Sequence, residues 1–181
     1  MKVPELTSEP QRQRFAAIVL PHLDDALTLA RWLTGSRADA EDVTQDACLK
    51  ALSALDGYRG GSARAWVLAI VRTTAYTWMR RNRPHMLVLT GDPAEAEAGQ
   101  EMAEGAGNPE TALIAAQSQA QVQAAISSLP VPFREILVLR DINGLSYREI
   151  GEILAVPPGT IMSRLARARA CLMAALEDAN P

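Results

Sequence analysis

Three observations predict an all-α fold of two small helical domains. Apolar residues recur at helical spacing almost throughout the 181 residues, and no run shows the period-two alternation or hairpin turn of a sheet. Periodicity lapses once, from about Pro84 to Asn108, where Gly, Ala and Glu dominate and large apolar residues are sparse after Leu89. A helix–turn–helix pattern then lies near the C-terminal end, between Leu145 and Arg169. The expected domains are residues 12–83 and 109–178, joined by a flexible acidic linker over residues 84–108.

The first domain reads as a bundle. Phe15, Ile18 and Val19 begin an apolar stripe, Pro21 interrupts it, and Leu23, Ala26, Leu27, Ala30 and Leu33 resume it. Thr34-Gly35-Ser36-Arg37 ends that element. Asp39 is the expected cap of a helix to about Leu55, with Val43, Ala47, Ala51 and Leu55 as its core stripe. Asp56 to Gly61 is a Gly-rich loop, and Ser62 is placed to cap a helix running to Arg83.

In the second domain, Pro109 suits a first helical turn, and a helix is expected through Leu113, Ala116, Ala120 and Ala124. It should end before Leu129-Pro130-Val131-Pro132. A further helix holds Phe133, Ile136, Leu137 and Arg140, and Asn143-Gly144 closes it. Ser146 and Glu149 form an S-x-x-E capping box, so another helix starts there, with Tyr147, Ile150 and Leu154 on one face. Val156-Pro157-Pro158-Gly159 stops it, and Pro158 fits the first turn of the last helix.

That last helix has two faces. Ile161, Leu165, Ala168 and Leu172 recur at i, i+4, i+7 and i+11 as a buried stripe. Thr160, Ser163, Arg164 and Arg167 fall on another face, which carries hydroxyls and guanidiniums but no carboxylate. Such groups bind phosphates and base edges, and an α-helix fits the major groove. A solvated basic hairpin is the bland alternative; capping box, turn and acid-free face together favour DNA recognition.

Two more helices carry chemistry. On the helix from Ser62 to Arg83, Trp66, Val67, Ile70, Val71, Thr74 and Trp78 share one face, and Arg72, Tyr76, Arg80 and Arg83 share the other. Guanidiniums around an aromatic suit a nucleic-acid backbone with an unstacked base, although a solvated, Arg-rich helix end accounts for them equally well. On the helix from Asp39 to Leu55, Asp42, Gln45, Asp46 and Leu49 form a mixed acidic face with one exposed leucine. That is a plausible protein-docking strip, though composition alone favours a plain solvated face.

Composition narrows the function. Hydrophobic residues make up 48% of the chain, which is enough for a buried core, and no apolar run would span a bilayer. No signal peptide is evident, so a cytoplasmic protein without membrane insertion is expected. The net charge of −3 argues against a nonspecific DNA coat. Its distribution is uneven: Gly57 to Arg83 holds six arginines and no acid, and Pro84 to Gln123 holds six acids and no Lys or Arg. Cys48 and Cys171 make neither a metal spacing nor a redox pair and read as small, partly buried side chains. Without a phosphate loop, zinc spacing or nucleophile motif, no enzymatic role, metal or cofactor is expected.

The run Asn143-Gly144-Leu145-Ser146-Tyr147-Arg148-Glu149-Ile150-Gly151, followed by Pro158-Gly159-Thr160-Ile161-Met162-Ser163-Arg164-Leu165-Ala166-Arg167-Ala168-Arg169, resembles region 4 of bacterial sigma factors. It is most similar to the extracytoplasmic-function (ECF) group. Met162 departs from the polar or basic residue that relatives often carry there. The Arg-rich helix is similar to region 2.4, with the Gly-rich loop before it, although relatives often have Asn or Asp near Thr73 or in that loop. Asp39-Ala40-Glu41-Asp42-Val43-Thr44-Gln45-Asp46 is similar to region 2.2. The resemblance covers about Phe15 to Arg83 and Pro109 to Leu176, without regions 1.1 and 3.

The resemblance implies a transcription initiation factor in the bacterial cytoplasm. Tyr147, Arg148, Pro157, Gly159, Thr160, Ser163, Arg164, Arg167 and Arg169 would read the minus-thirty-five element. Arg59, Arg64, Arg72, Thr73, Tyr76, Arg80 and Arg83 would read and melt the minus-ten element. Asp39, Glu41, Asp42, Gln45, Asp46 and Leu49 would dock on the β′ clamp helices of core RNA polymerase, and the second domain would meet the β flap. An anti-sigma factor is the expected inhibitor, wedged between domains whose spacing a loose linker leaves variable. Two alternatives are weaker. A decoy that sequesters an anti-sigma factor without binding DNA would not need the arginines; a simple helix–turn–helix repressor would leave Asp39 to Arg83 unexplained and normally needs a dimerisation element.

Overall fold

The computed structural model describes residues 9–88 and 111–178, with side chains over 9–87 and 120–177. Every described element is helical. The first domain contains α1 (Glu9–Ile18), α2 (Leu23–Thr34), α3 (Arg37–Ala54), α4 (Ala63–Asn82) and the single turn α5 (His85–Val88). The second contains α6 (Thr111–Ser128), α7 (Val131–Leu137), α8 (Tyr147–Leu154) and α9 (Pro158–Asp178). Apart from Pro84 and α5, the acidic linker lies outside the described residues.

Local chemistry sets the helix ends. Gly35 closes α2 in the left-handed region at φ 73°, where a Cβ would be strained. The expected cap of α3 shifts by three residues. Ser36, with an extended backbone, accepts from the Asp39 amide, so Asp39 lies in the first turn, where its charge complements the helix N-terminus. Ser62 caps α4 as expected, by accepting from the Ala65 amide. The expected stripe of α3, Val43, Ala47, Ala51 and Leu55, is buried, and it packs with α2 and α4 around Leu29, Leu33, Leu68 and Met79.

In the second domain α6 ends before Leu129, as the prolines require, but its expected stripe is only partly right. Ala120 and Ala124 are exposed, and Ala125, Ile126 and Leu129 are buried instead. Helix α7 begins two residues before Phe133, at Val131, because Pro132 fits a first turn and gives up no needed donor. It passes into a π-helical turn over Val138–Ile142, where the Asn143 amide reaches back to the Val138 carbonyl at 2.8 Å. The stripe Ile161, Leu165 and Ala168 of α9 is buried against Ile136, Leu139, Leu145 and Ile150.

The two domains are in contact. Helix α4 lies on α8, and α2 lies on α7 and on the π turn, so one apolar cluster runs through both domains. The sequence predicts domains free to change their spacing; the structure holds them against each other.

Candidate nucleic-acid interface

The helix–turn–helix is built from local rules. Ser146 Oγ accepts from the Glu149 amide at 3.3 Å, and Glu149 Oε2 accepts from the Ser146 amide at 2.9 Å, which completes the capping box. Those bonds hold the Glu149 carboxyl below the usual carboxylate range. The turn begins at Ala155, a left-handed residue at φ 54° and ψ 43°, rather than at the prolines. Gly151 permits a close approach there, since a Cβ would sit 3.2 Å from the Val156 carbonyl oxygen. On the other side of α8, the Arg140 guanidinium lies 4.8 Å from the centre of the Tyr147 ring and donates to the Leu145 carbonyl.

The face of α9 expected to meet DNA is open. Ser163, Arg164 and Arg167 are exposed, and Thr160 is half-buried. Neither arginine joins an ion pair among the described residues. Pro157, Gly159 and Arg148 are also exposed, and Arg148 is 3.8 Å from Glu152 on its own helix. Arg169 differs, because its guanidinium forks onto Asp141 with contacts of 2.6 and 3.2 Å. Met162 is exposed on the same helix, a polarizable apolar tip beside the arginines.

The residues expected at the minus-ten element are divided. Arg59, Thr73 and Arg80 are exposed. Arg83 stays inside its own domain, donating to the Thr34 carbonyl at 3.2 Å and to Asp39 at 3.4 Å. Arg64 forks onto Asp25 at 2.6 and 2.9 Å and also donates to the Asn143 carbonyl of the second domain. Arg72 Nε donates to Glu135 Oε1 at 2.8 Å, and the Tyr76 hydroxyl donates to Glu135 Oε2 at 3.1 Å. Burial raises the Tyr76 hydroxyl far above its ordinary pKa and pushes the Glu135 carboxyl up as well, although Arg72 opposes the latter.

Sequence reasoning missed two buried charges, one of them this Glu135. Arg134 and Glu135, adjacent in α7, are both buried. Arg134 donates to the carbonyls of Ser127, Leu129 and Trp32, and burial lowers its pKa to about 10. The remaining expected strip is on α3. Glu41, Asp42, Gln45 and Asp46 are exposed, and Asp39 and Leu49 are half-buried. Among the described residues there is no group of side chains able to hold a metal ion and no helix long and apolar enough to cross a membrane.

The chain is similar to known proteins across both domains. The family described as Sigma-70 region 2 matches residues 18–85, and that described as Sigma-70, region 4 matches residues 119–172. The RNA polymerase sigma-H factor of Pseudomonas aeruginosa is 32% identical over 176 residues, covering 96% of this chain and 91% of that protein. The ECF RNA polymerase sigma-E factor of Escherichia coli K12 is 37% identical over 135 residues, or 72% of this chain and 70% of that one. Among solved structures, the sigma factor RpoE in complex with the anti-sigma factor NepR from Bartonella quintana superposes with a TM-score of 0.67 at 26% identity, over 90% of this chain and 96% of that chain. CnrH in complex with the cytosolic domain of CnrY gives a TM-score of 0.64 at 25% identity, over 94% of this chain and 91% of that chain. With both domains matched in order, and with relatives above 30% identity over most of their length, the chain belongs to the ECF group of bacterial RNA polymerase sigma factors.

Proposed function

We propose that this chain binds core RNA polymerase in the bacterial cytoplasm and directs it to a set of promoters, with α9 reading the minus-thirty-five element and α4 the minus-ten element. The observation that carries this reading is the exposed, acid-free face of Ser163, Arg164 and Arg167 on a capped helix–turn–helix. In this reading Tyr147, Arg148, Pro157, Gly159, Thr160 and Arg169 flank that face and position the phosphates. Arg59, Thr73 and Arg80 meet minus-ten DNA from the exposed side of α4 and its preceding loop; Arg64, Arg72, Tyr76 and Arg83 join them once released from their present acceptors. The α3 strip of Asp39, Glu41, Asp42, Gln45, Asp46 and Leu49 docks on the β′ clamp helices, and the second domain docks on the β flap. An anti-sigma factor opposes both events, a role supported by the anti-sigma partners of the two solved relatives.

Run-off transcription tests the assignment. Purified chain, core polymerase and genomic promoter fragments should yield discrete transcripts that disappear when either component is omitted. Transcription unchanged by the chain across such a fragment library would refute it.

A further inference from the structure

Met162 is the side chain of α9 that the arginines and hydroxyls leave unexplained. It is 56% exposed and takes no part in the apolar cluster of the described residues. An exposed methionine is ordinary in itself; its place on the helix is not. Of the described residues of α9, Met162 and Met173 are the large apolar side chains left exposed, and only Met162 falls within the run that carries Thr160, Ser163, Arg164 and Arg167.

Its surroundings follow from helical geometry. The neighbours of Met162 along α9 are Pro158 and Gly159 one turn before it, Ala166 one turn after it and Arg169 two turns after it. Pro158, Gly159 and Ala166 are short and exposed. A helical side chain leans back over the preceding turn, here toward Gly159, where an added Cβ would meet nothing within 4 Å. The Arg169 guanidinium is tied to Asp141 and does not cover the thioether. Met162 therefore presents an apolar tip beside open space in the first turns of α9. In a helix–turn–helix those turns are the ones that reach base edges.

Groove chemistry narrows what the tip can meet. Of the four bases, thymine alone shows an apolar group in the major groove, its C5-methyl. The other edges are donors and acceptors, which a thioether would strip of water without pairing them. A phosphate meets the same objection.

We propose that Met162 is a specificity-determining residue that reads the C5-methyl of one thymine in the minus-thirty-five element, beside the polar edges and phosphates taken by Arg164 and Arg167. The proposal rests on the assignment of α9 to that element and adds a base to it. Methyl and thioether leave water together, and no hydrogen bond is needed. Cytosine offers only a hydrogen at the same place and gains nothing from the contact.

The test compares thymine with uracil, which lacks only the C5-methyl and keeps every hydrogen-bonding group. Holoenzyme made from the full chain and core polymerase is titrated by fluorescence anisotropy against promoter fragments that give run-off transcripts. Each minus-thirty-five thymidine, on either strand, is replaced in turn by deoxyuridine. At one position the parent should lose affinity about four-fold, the worth of one buried methyl group. There Met162→Ala and Met162→Gln, the latter of similar length but polar, should bind the thymine and uracil fragments equally. Met162→Leu should keep most of the difference.

A parent indifferent to uracil at every position would overturn the proposal. So would a difference that persists undiminished in Met162→Gln, because another group would then be reading the methyl. Both outcomes leave promoter binding by the parent intact, and with it the proposed function. A chain that directs no transcription from any fragment would sink the proposed function, and this proposal with it.

Discussion

Arg134 donates to the main-chain carbonyl of Trp32 at 3.1 Å, across the domain boundary and 102 residues away in sequence. The same guanidinium holds the carbonyls of Ser127 and Leu129, which end α6. One buried cation therefore closes a helix and ties that closure to α2.

Arg134→Met keeps the bulk of the side chain but leaves those acceptors without their donor. A buried acceptor left unpaired costs about 1–3 kcal/mol. Water can reach some of the three once the domains part, so a total loss of about 3 kcal/mol is expected. Urea unfolding followed by circular dichroism would measure it. A loss within the error of a surface control such as Arg31→Met would show that the carbonyls find other donors.

The capping box gives a second test, with a sign in pH. Ser146→Ala should cost about 1 kcal/mol, the usual value of an N-cap. Glu149 adds a titrating component, since its carboxyl is held below its ordinary 4.5 by the Ser146 amide. A depressed carboxylate contributes stability that is fully present above the unfolded value and is lost as pH falls through the folded value. Glu149→Gln should therefore be less stable than the parent at neutral pH, and the gap should shrink as pH falls below about 4.5. A gap that stays constant with pH would mean that the charge of Glu149 plays no part.

Ala155 offers a change in the opposite direction. It sits at φ 54°, where a Cβ costs about 1–2 kcal/mol, part of which glycine gives back through its freer unfolded chain. Ala155→Gly should raise stability by about 0.5–1 kcal/mol, read as a shift in the denaturation midpoint. A lowered midpoint would mean that the Ala155 methyl makes a contact worth more than the strain.

These residues also show what local sequence could reveal. The capping box, the Ser62 cap, the stripes of α3 and α9, and the exposed Arg164 and Arg167 are all set by neighbours within a turn or two, so periodicity and capping rules find them. The cap of α3 is expected at Asp39 and lies at Ser36; both residue types suit an N-cap, and only the observed backbone chooses between them. Arg134 and Glu135 were not legible at all. Adjacent charges read as solvated surface, and they are buried here because α7 lies beneath the other domain. Arg72 and Tyr76 were correctly grouped on one face, but no local pattern could show that the face would meet a carboxylate 59 residues and more away.

The recognition face can be tested by base selectivity. Arg164→Ala and Arg167→Ala should each cost about 1–3 kcal/mol on the preferred minus-thirty-five sequence if the side chain reads a base edge. The loss should be smaller on scrambled sequence. Arg148→Ala, on α8, should weaken both about equally, as a phosphate contact does, and should flatten the salt dependence. Fluorescence anisotropy of the holoenzyme on duplex fragments separates the two behaviours. Equal loss on native and scrambled sequence for Arg164→Ala would move it from the base-reading set to the phosphate set.

The α3 strip can be separated from the fold because its side chains avoid the core stripe. Asp46 is exposed and Leu49 half-buried, while Val43, Ala47 and Ala51 carry the packing. Asp46→Arg reverses a charge where a rim contact governs association rate, and Leu49→Ala removes the apolar anchor that would resist dissociation. The double variant should lose affinity for core polymerase by about 2 kcal/mol or more, with an unchanged circular dichroism spectrum and a melting midpoint within a few degrees of the parent. Surface plasmon resonance on immobilised core enzyme resolves the two contributions: the association rate should fall with Asp46→Arg and become less salt-sensitive, and the dissociation rate should rise with Leu49→Ala. Parent-like binding by a folded double variant would place the polymerase-docking face elsewhere on the first domain, leaving the exposed acids of α3 as a solvated helix face.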